Sequence, residues 1–342
     1  MSKPVITIVL GDPGGVGPEL VGHLLADPDT LASADVLVIA DQHEFDEGLR
    51  ISGASLQYAT VSERPGSRPA EGVTLWNFRG SETQPFSRAE VSAANGRYAL
   101  DTLEQAVLLT QKGIGDAFLF APLNKSALHL GGLDLDDEGQ MFARVLGSKT
   151  PHGELNVLDN LWTSRVTSHV ALRDVSALIT EERIHRSIKL LHDAVTDAGI
   201  ASPRIAICGL NPHNGENGSF GREELDVIMP AVESAKRAGY PVEGPYPADT
   251  IFLKAADYDA VVTMYHDQGQ IALKLLGFSR GVTVAGGLPI PICTPAHGTA
   301  FDIYGKGQAN VGATRAAFGI AVKMANRRLA CEAEESPSAA TA

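Results

Sequence analysis

The chain reads as an α/β protein made of two α/β domains, and three observations predict this. Short β-branched runs alternate with segments of helical periodicity, the order that builds a largely parallel sheet. At 342 residues, 44% apolar and 20% charged, the chain is long enough for two domains and has the composition of an ordinary folded protein. No Ser/Gly-rich linker divides it, so the chain is expected to cross between domains more than once.

Taken in order, strand signals fall at Val5–Leu10, Val36–Ile39, Ala117–Phe120, Arg165–Val170, Ile205–Cys208 and Ala260–Met264. Helical spacing covers Tyr98–Lys112 and Glu181–Ala198. In the second helix Ile184, Ile188, Leu191 and Val195 share one face, Thr180 stands at the N-cap, and two glutamates occupy the first turn. His185 and His192 on this helix read as surface or packing residues. The segment 62–77, rich in Pro, Gly, Arg and Glu, reads as a surface excursion. From Cys331 onward there are no core-forming residues, and 331–342 reads as a disordered tail. The expected boundaries place 1–135 with 300–330 in a first, cofactor-side domain and 136–299 in a second, metal-side and dimer-side domain.

Charge narrows the function. A net charge of −13 repels phosphate backbones and anionic lipid, so neither nucleic acid nor a membrane surface is an expected partner. No apolar run approaches the roughly 18 residues of a membrane span. The N-terminus reads as a buried strand instead of a signal peptide, and a cytoplasmic location is expected. Three cysteines, Cys208, Cys293 and Cys331, are too few and too widely spaced for a disulfide framework or a zinc knuckle. Cys208 reads as a core residue, and nothing near Cys293 marks an activating base.

Three motif regions carry chemistry. The first strand runs into Gly11-Asp12-Pro13-Gly14-Gly15-Val16-Gly17-Pro18, which is neither a dinucleotide fingerprint nor a P-loop. It is either an anion-holding loop or a tight turn with Pro18 at a helix start. Next, His297 to Asn310, with Gly298, Asp302, Gly305 and Gly307, resembles the adenosine-binding loop of the isopropylmalate and isocitrate dehydrogenases. Those enzymes use NAD or NADP without a Rossmann fingerprint, and the β-keto acid they form loses carbon dioxide with help from a metal. Last, His169, His213 and His266 each follow or closely trail a strand-like run, so all three could project from neighbouring strand ends as ligands of one divalent ion.

Together with Ser92–Gly96, Ala121–Lys125, Pro247–Thr250 and Tyr265–Gly269, these segments resemble the 4-hydroxythreonine-4-phosphate dehydrogenase family of vitamin B6 synthesis, over roughly residues 4 to 328. The resemblance implies an isopropylmalate dehydrogenase-like fold with the active site in a cleft between two domains. It further implies a homodimer whose metal site takes ligands from both subunits, with His169, His213 and His266 as the metal-binding histidines and Lys274 as a lysine that binds a substrate oxygen or acts as general acid. Asp249 and Asp267 would orient those histidines or hold substrate hydroxyls. On the cofactor side stand Asp12, Gly14, His297, Gly298, Asp302, Gly305 and Asn310. Lys125 is either a cleft residue or part of a helix cap.

The departures concern substrate. Where the family has Gly-His-Thr-Glu-Phe, this chain has Asp137-Glu138-Gly139-Gln140-Met141, and the family's substrate-binding Asn and Arg fall on Thr283 and Ile292. An alkyl chain in place of a guanidinium removes donors suited to phosphate or carboxylate, and Glu138 would repel an anion at close range. The expectation is an NAD(P)-dependent and metal-dependent oxidation of a secondary hydroxyl, followed by decarboxylation, on a small hydroxy acid. A non-phosphorylated acid is the better guess. Zinc suits all-nitrogen ligation best, with cobalt, manganese and magnesium as alternatives. Two rival expectations are the family's own phosphorylated substrate and an inactive binding or sensor protein.

Overall fold

The structure, a computed structural model, describes residues 3–335. The chain divides into two compact units, one running to Thr150 and resuming at Leu288, the other spanning Pro151–Gly287. In the first unit the chain forms β1 (Val5–Val9), β2 (Asp35–Ala40), β3 (Ala59–Val61), β4 (Val73–Asn77) and β5 (Ala117–Phe120). The second unit contains β6 (Gly153–Leu158), β7 (Leu161–Arg165), β8 (Ile205–Cys208), β9 (Val242–Tyr246), β10 (Ala260–Thr263) and β11 (Val282–Gly286). The chain then returns to the first unit with β12 (Ile292–Pro295).

The first unit's strands lie in the order β3-β4-β2-β1-β5-β12, and every pairing is parallel. All five residues of β1 are buried, as a central parallel strand covered on both faces requires. In the second unit the order is β11-β6-β7-β10-β8-β9. There β7, β10, β8 and β9 run parallel, whereas β6 joins β7 and β11 by antiparallel pairing. The α/β fold class is thus the one the alternation predicts. Among the described residues, no helix is long and apolar enough to cross a membrane.

Several expectations need correction. The first crossing lies at 150, not 135, because the helix Glu138–Leu146 packs on the helix Ala93–Gln111 and sets Phe142 edge-on against Phe118 and Phe120. The return lies at 288, not 300, because β12 hydrogen-bonds beside β5. Residues 331–335 belong to the helix Gly312–Glu335 and are not a tail; the rest of the expected tail lies outside the described residues. The expected excursion at 62–77 ends in a strand, β4, whose Val73, Leu75 and Trp76 are buried next to β2. Strand β7 ends at Arg165 where the sequence suggested a start, since Thr163 and Ser164 are polar yet only 4% exposed and masked the run.

Helix starts follow the sequence closely. Thr180 caps Glu181–Asp197 by accepting from Arg183 N, and Asn124 caps Lys125–Gly131 by accepting from Ala127 N at 3.0 Å. The cap in the Asn-Lys motif is therefore Asn124, and Lys125 is exposed. His185 and His192 are packing residues: one meets Ala231 O at 3.1 Å and the other lies edge-on to Tyr240. Cys208 and Cys293 are fully buried, and burial pushes both thiols up to about 12, leaving neither as a nucleophile at neutral pH.

Candidate functional site

In the second unit, topology gathers the histidines. Strands β7, β10 and β8 are adjacent and parallel, so the segments following them leave from the same edge of the sheet, where open α/β sheets place ligands. The β7 and β10 segments stay paired past their last strand residues: Val166 N and Thr167 N donate to Thr263 O and Met264 O, and Thr167 Oγ1 also donates to Met264 O at 2.8 Å. Two residues beyond each of those positions stand His169 and His266, whose ring centroids are 5.7 Å apart. His169 adopts φ 37°, a left-handed conformation that a non-glycine residue takes only when its surroundings impose it.

His266 opens the helix His266–Gly277, and its Nδ1 meets Asp267 Oδ1 at 2.7 Å. That contact leaves Nε2 as the free coordinating nitrogen. Gln268 secures the same turn from beneath. Its Oε1 accepts from Met264 N and Tyr265 N, and its Nε2 donates to Gly209 O, tying this turn to the segment that leads to His213.

The His213 loop is unusual, because residues 213 to 217 all have positive φ. Glu224, 1% exposed, holds it in place by accepting from Leu210 N, Asn211 N and Asn211 Nδ2 at 2.7–2.9 Å. His213 itself is exposed beside Phe220. Among the described residues, the group of three side chains whose ligand atoms lie within 4.8 Å of one another is Asp41, His43 and Glu44, so the three histidines do not close into one cage within a single chain. Asp41 and Glu44 are already engaged by Arg79 and Arg88.

The remaining expected residues are distributed as follows. Lys274 is exposed on the His266 helix, next to exposed Leu275 and Leu276. Asp249 is exposed in the short helix Ala248–Ile251 and, among the described residues, makes no hydrogen bond to a histidine. Thr283 Oγ1 accepts from Asn156 Nδ2 at 3.3 Å. Glu138 and Gly139 begin a helix in the first unit whose cap is Asp137. Ile292 is fully buried in β12, where it is a core residue with no exposed surface to offer a substrate.

On the first unit, the glycine-rich segment is a packed turn leading into the helix Gly17–Leu25 with Pro18 in its first turn. Its amides are taken internally. Asp12 N donates to Pro122 O, Gly14 N to Asp12 Oδ1, Gly15 N to Asp12 O and Val16 N to Thr299 O. A Cβ on Gly11 would lie 2.4 Å from Pro122 O, and one on Gly17 would lie 2.0 Å from Leu10 O. These glycines therefore serve close backbone approach.

Asp12 is 1% exposed; its Oδ1 also accepts from Asn95, while Oδ2 is buried and has no partner among the described residues. Burial holds its carboxyl above the usual aspartate range, against the opposing hydrogen bonds from Gly14 and Asn95. His297 likewise keeps Nε2 buried and unpaired. Asp302 O accepts from Lys306 Nζ, and Asn310 Oδ1 accepts from Gly312 N. Gly305 has φ 72° and lies near Tyr304, Arg88 and Glu19.

Sequence reading missed Arg165, Gln268 and Glu224. Gln268 lies within the Tyr265–Gly269 motif; Arg165 and Glu224 belong to no motif and gain meaning only from the side-chain and backbone partners that the fold sets opposite them.

Comparison with known proteins places this arrangement. A Pseudomonas aeruginosa protein named "Putative 4-hydroxythreonine-4-phosphate dehydrogenase 2" is 55% identical, over 96% of this chain and 98% of that protein. The D-threonate 4-phosphate dehydrogenase of Cupriavidus necator is 39% identical over 95% and 98%. A solved 4-hydroxythreonine-4-phosphate dehydrogenase from Burkholderia phymatum is similar with a TM-score of 0.79 and 36% identity, covering 95% of this chain and 99% of that one. The chain is accordingly an oxidoreductase. The profile described as pyridoxal phosphate biosynthetic protein PdxA matches residues 32–321, and the chain belongs to the PdxA family.

Proposed function

We propose that the protein is a nicotinamide-dependent and divalent-metal-dependent dehydrogenase that oxidises the secondary hydroxyl of a small hydroxy acid, with decarboxylation of the resulting β-keto acid. The observation that carries this reading is the placement of His169 and His266 side by side at adjacent strand ends, with Asp267 on the Nδ1 of His266. The donor set fits a metal. Neutral imidazoles suit zinc first and cobalt or manganese next, and a carboxylate on one ring nitrogen fixes the tautomer that leaves the other free to coordinate. His169, His213 and His266 would hold the ion.

The chemistry supplied by a bound divalent ion is polarisation of the substrate oxygen, and that supplied by a nicotinamide is acceptance of hydride. The chain's own residues do the rest. Lys274 binds a substrate oxygen, Asp267 orients His266, and Thr283 offers a hydroxyl to the substrate from the β11 edge. Asp249 holds a substrate hydroxyl. On the first unit, the His297–Asn310 loop, with Gly298, Asp302 and Gly305, takes the adenosine half of NAD or NADP, and the unpaired Nε2 of His297 and Oδ2 of Asp12 await polar partners.

A homodimer fits the same reading. Ile271, Leu275 and Leu276 on the His266 helix are 58%, 83% and 49% exposed, and a second copy covering them would bring further donors to the histidines.

Two substrate readings remain. The relatives' names favour a phosphorylated hydroxy acid. The carboxylate of Glu138, which would repel an anionic phosphate at close range, favours a non-phosphorylated one. Turnover decides: the protein is assayed with NAD or NADP and zinc, cobalt, manganese or magnesium on 4-hydroxythreonine 4-phosphate, D-threonate 4-phosphate and their dephosphorylated forms. Nicotinamide reduction and carbon dioxide release are recorded together. Neither turnover nor nicotinamide binding would leave a sensor and sink the dehydrogenase; reduction without carbon dioxide would remove only the decarboxylation.

A further inference from the structure

We propose that Arg165 is a positioning residue that locks the two segments bearing His169 and His266 to one anchor. The inference rests on the metal reading above. Arg165 ends β7, and its side chain is only 9% exposed. Three of its donors have partners on two segments, the turn after β7 and strand β6. Nε donates to Ser168 Oγ at 2.9 Å, Nη1 to Asn156 Oδ1 at 2.6 Å, and Nη2 to Glu154 Oε2 at 2.7 Å.

The first arm reaches the residue immediately before His169, whose φ of 37° needs such support. The second arm reaches Asn156 Oδ1, which also accepts from Gln270 Nε2 at 2.5 Å. Gln270 lies one turn after His266 on the same helix, so the guanidinium and Gln270 share one amide oxygen between them. The amide nitrogen of that same Asn156 donates to Thr283 Oγ1. One side chain thereby links the His169 turn, the His266 helix and the candidate substrate position on β11.

Stability alone does not call for this arrangement. The Glu154 side chain is 37% exposed, and an ion pair open to water on one side contributes only about 0–1 kcal/mol. What a planar guanidinium adds is direction: its fork fixes two acceptors on β6 and one beside His169 relative to one another. Networks of this kind behind metal ligands typically change affinity by about 10–100-fold when broken.

The test is Co(II) binding by the full-length protein, measured by titration calorimetry and by the visible absorption of the bound ion, with a thermal melt run in parallel. In Arg165→Met, affinity falls about 10–100-fold and the absorption spectrum changes, while the melt moves far less than the affinity. Ser168→Ala and Gln270→Leu cut one arm each, and each lowers affinity by less than Arg165→Met does. If Arg165→Met fails to fold, these two variants decide. Wild-type affinity and an unchanged spectrum in the folded variants would overturn the proposal while leaving the metal reading intact. A wild-type protein that binds no Co(II) would remove the metal reading and this inference together.

Discussion

The glycine-rich turn of the first unit and the histidine segments of the second are both dense in motif residues, yet they are built in opposite ways. Around Gly11–Pro18 the backbone is buried and its amides are spent on neighbouring carbonyls and on Asp12. Around His169 and His213 the backbone is exposed, held in left-handed conformations, and fixed from behind by Arg165, Gln268 and Glu224. The first is a packing device in which any added atom collides. The second is a display device, in which side chains are offered outward and the support is hidden. A motif rich in glycine thus speaks first about backbone approach, and one rich in histidine about what a strand end presents.

That contrast can be broken by mutation, and the largest effect belongs to the displayed side. His266→Ala removes a proposed ligand and is expected to lower kcat/KM by about 10²–10³-fold, on the scale of removing a group that stabilises developing charge. Metal stoichiometry falls with it, whereas the thermal midpoint moves little because His266 is half-exposed. Unchanged metal content in a folded His266→Ala protein would collapse the distinction drawn here.

On the packed side, Gly17→Ala places a Cβ 2.0 Å from Leu10 O, and backbone must shift to accept it. A loss of about 2–3 kcal/mol in unfolding free energy is expected, as for overpacking of a tight core. It would be read as a fall of about 2–4 °C in midpoint per kcal/mol. A melt equal to wild type would show that the turn is slack and could open for an anion.

Smaller and more specific is the pH response of Asp12. Burial raises its folded pKa above the ordinary 3.8, so the folded state binds the proton more tightly than the unfolded chain. Its contribution to stability is present below 3.8 and is lost as pH rises through the folded value. Subtracting the unfolding free energy of Asp12→Asn from that of wild type should give a difference that declines with rising pH and then levels off. A difference that grows with pH would mean the carboxylate is stabilised as an anion, and the packed description of the turn would fail.

The mildest change, Thr180→Ala, removes the cap of Glu181–Asp197 on the second unit, away from either motif region. About 1 kcal/mol is expected. It calibrates the others, because chemical denaturation of this variant should shift the transition without touching metal affinity.

Local rules made much of the molecule legible. Strand β1, the Thr180 cap, the apolar face of Glu181–Asp197 and Pro18 at a helix start each depend on residues within a few positions of one another, so periodicity and capping chemistry reveal them. The His297–Asn310 segment and the histidines stand out as motifs. Where reading failed, the cause was distance along the chain. Its place in a motif makes Ile292 an expected substrate contact, but strand pairing with Phe118 puts it wholly inside. The crossing at 150 was invisible because Phe142 finds its place through Phe118 and Phe120, more than twenty residues earlier.

By itself, then, the order of amino acids determined the α/β class, most of the central strands and the residues able to do chemistry, because propensity, charge and donor type are properties of short segments. Tertiary structure alone decided which of those residues stand together. Parallel pairing of β7, β10 and β8 brings strand ends distant in sequence to one edge, and only there can His169 meet His266. Such contacts depend on sheet order, which no local pattern encodes.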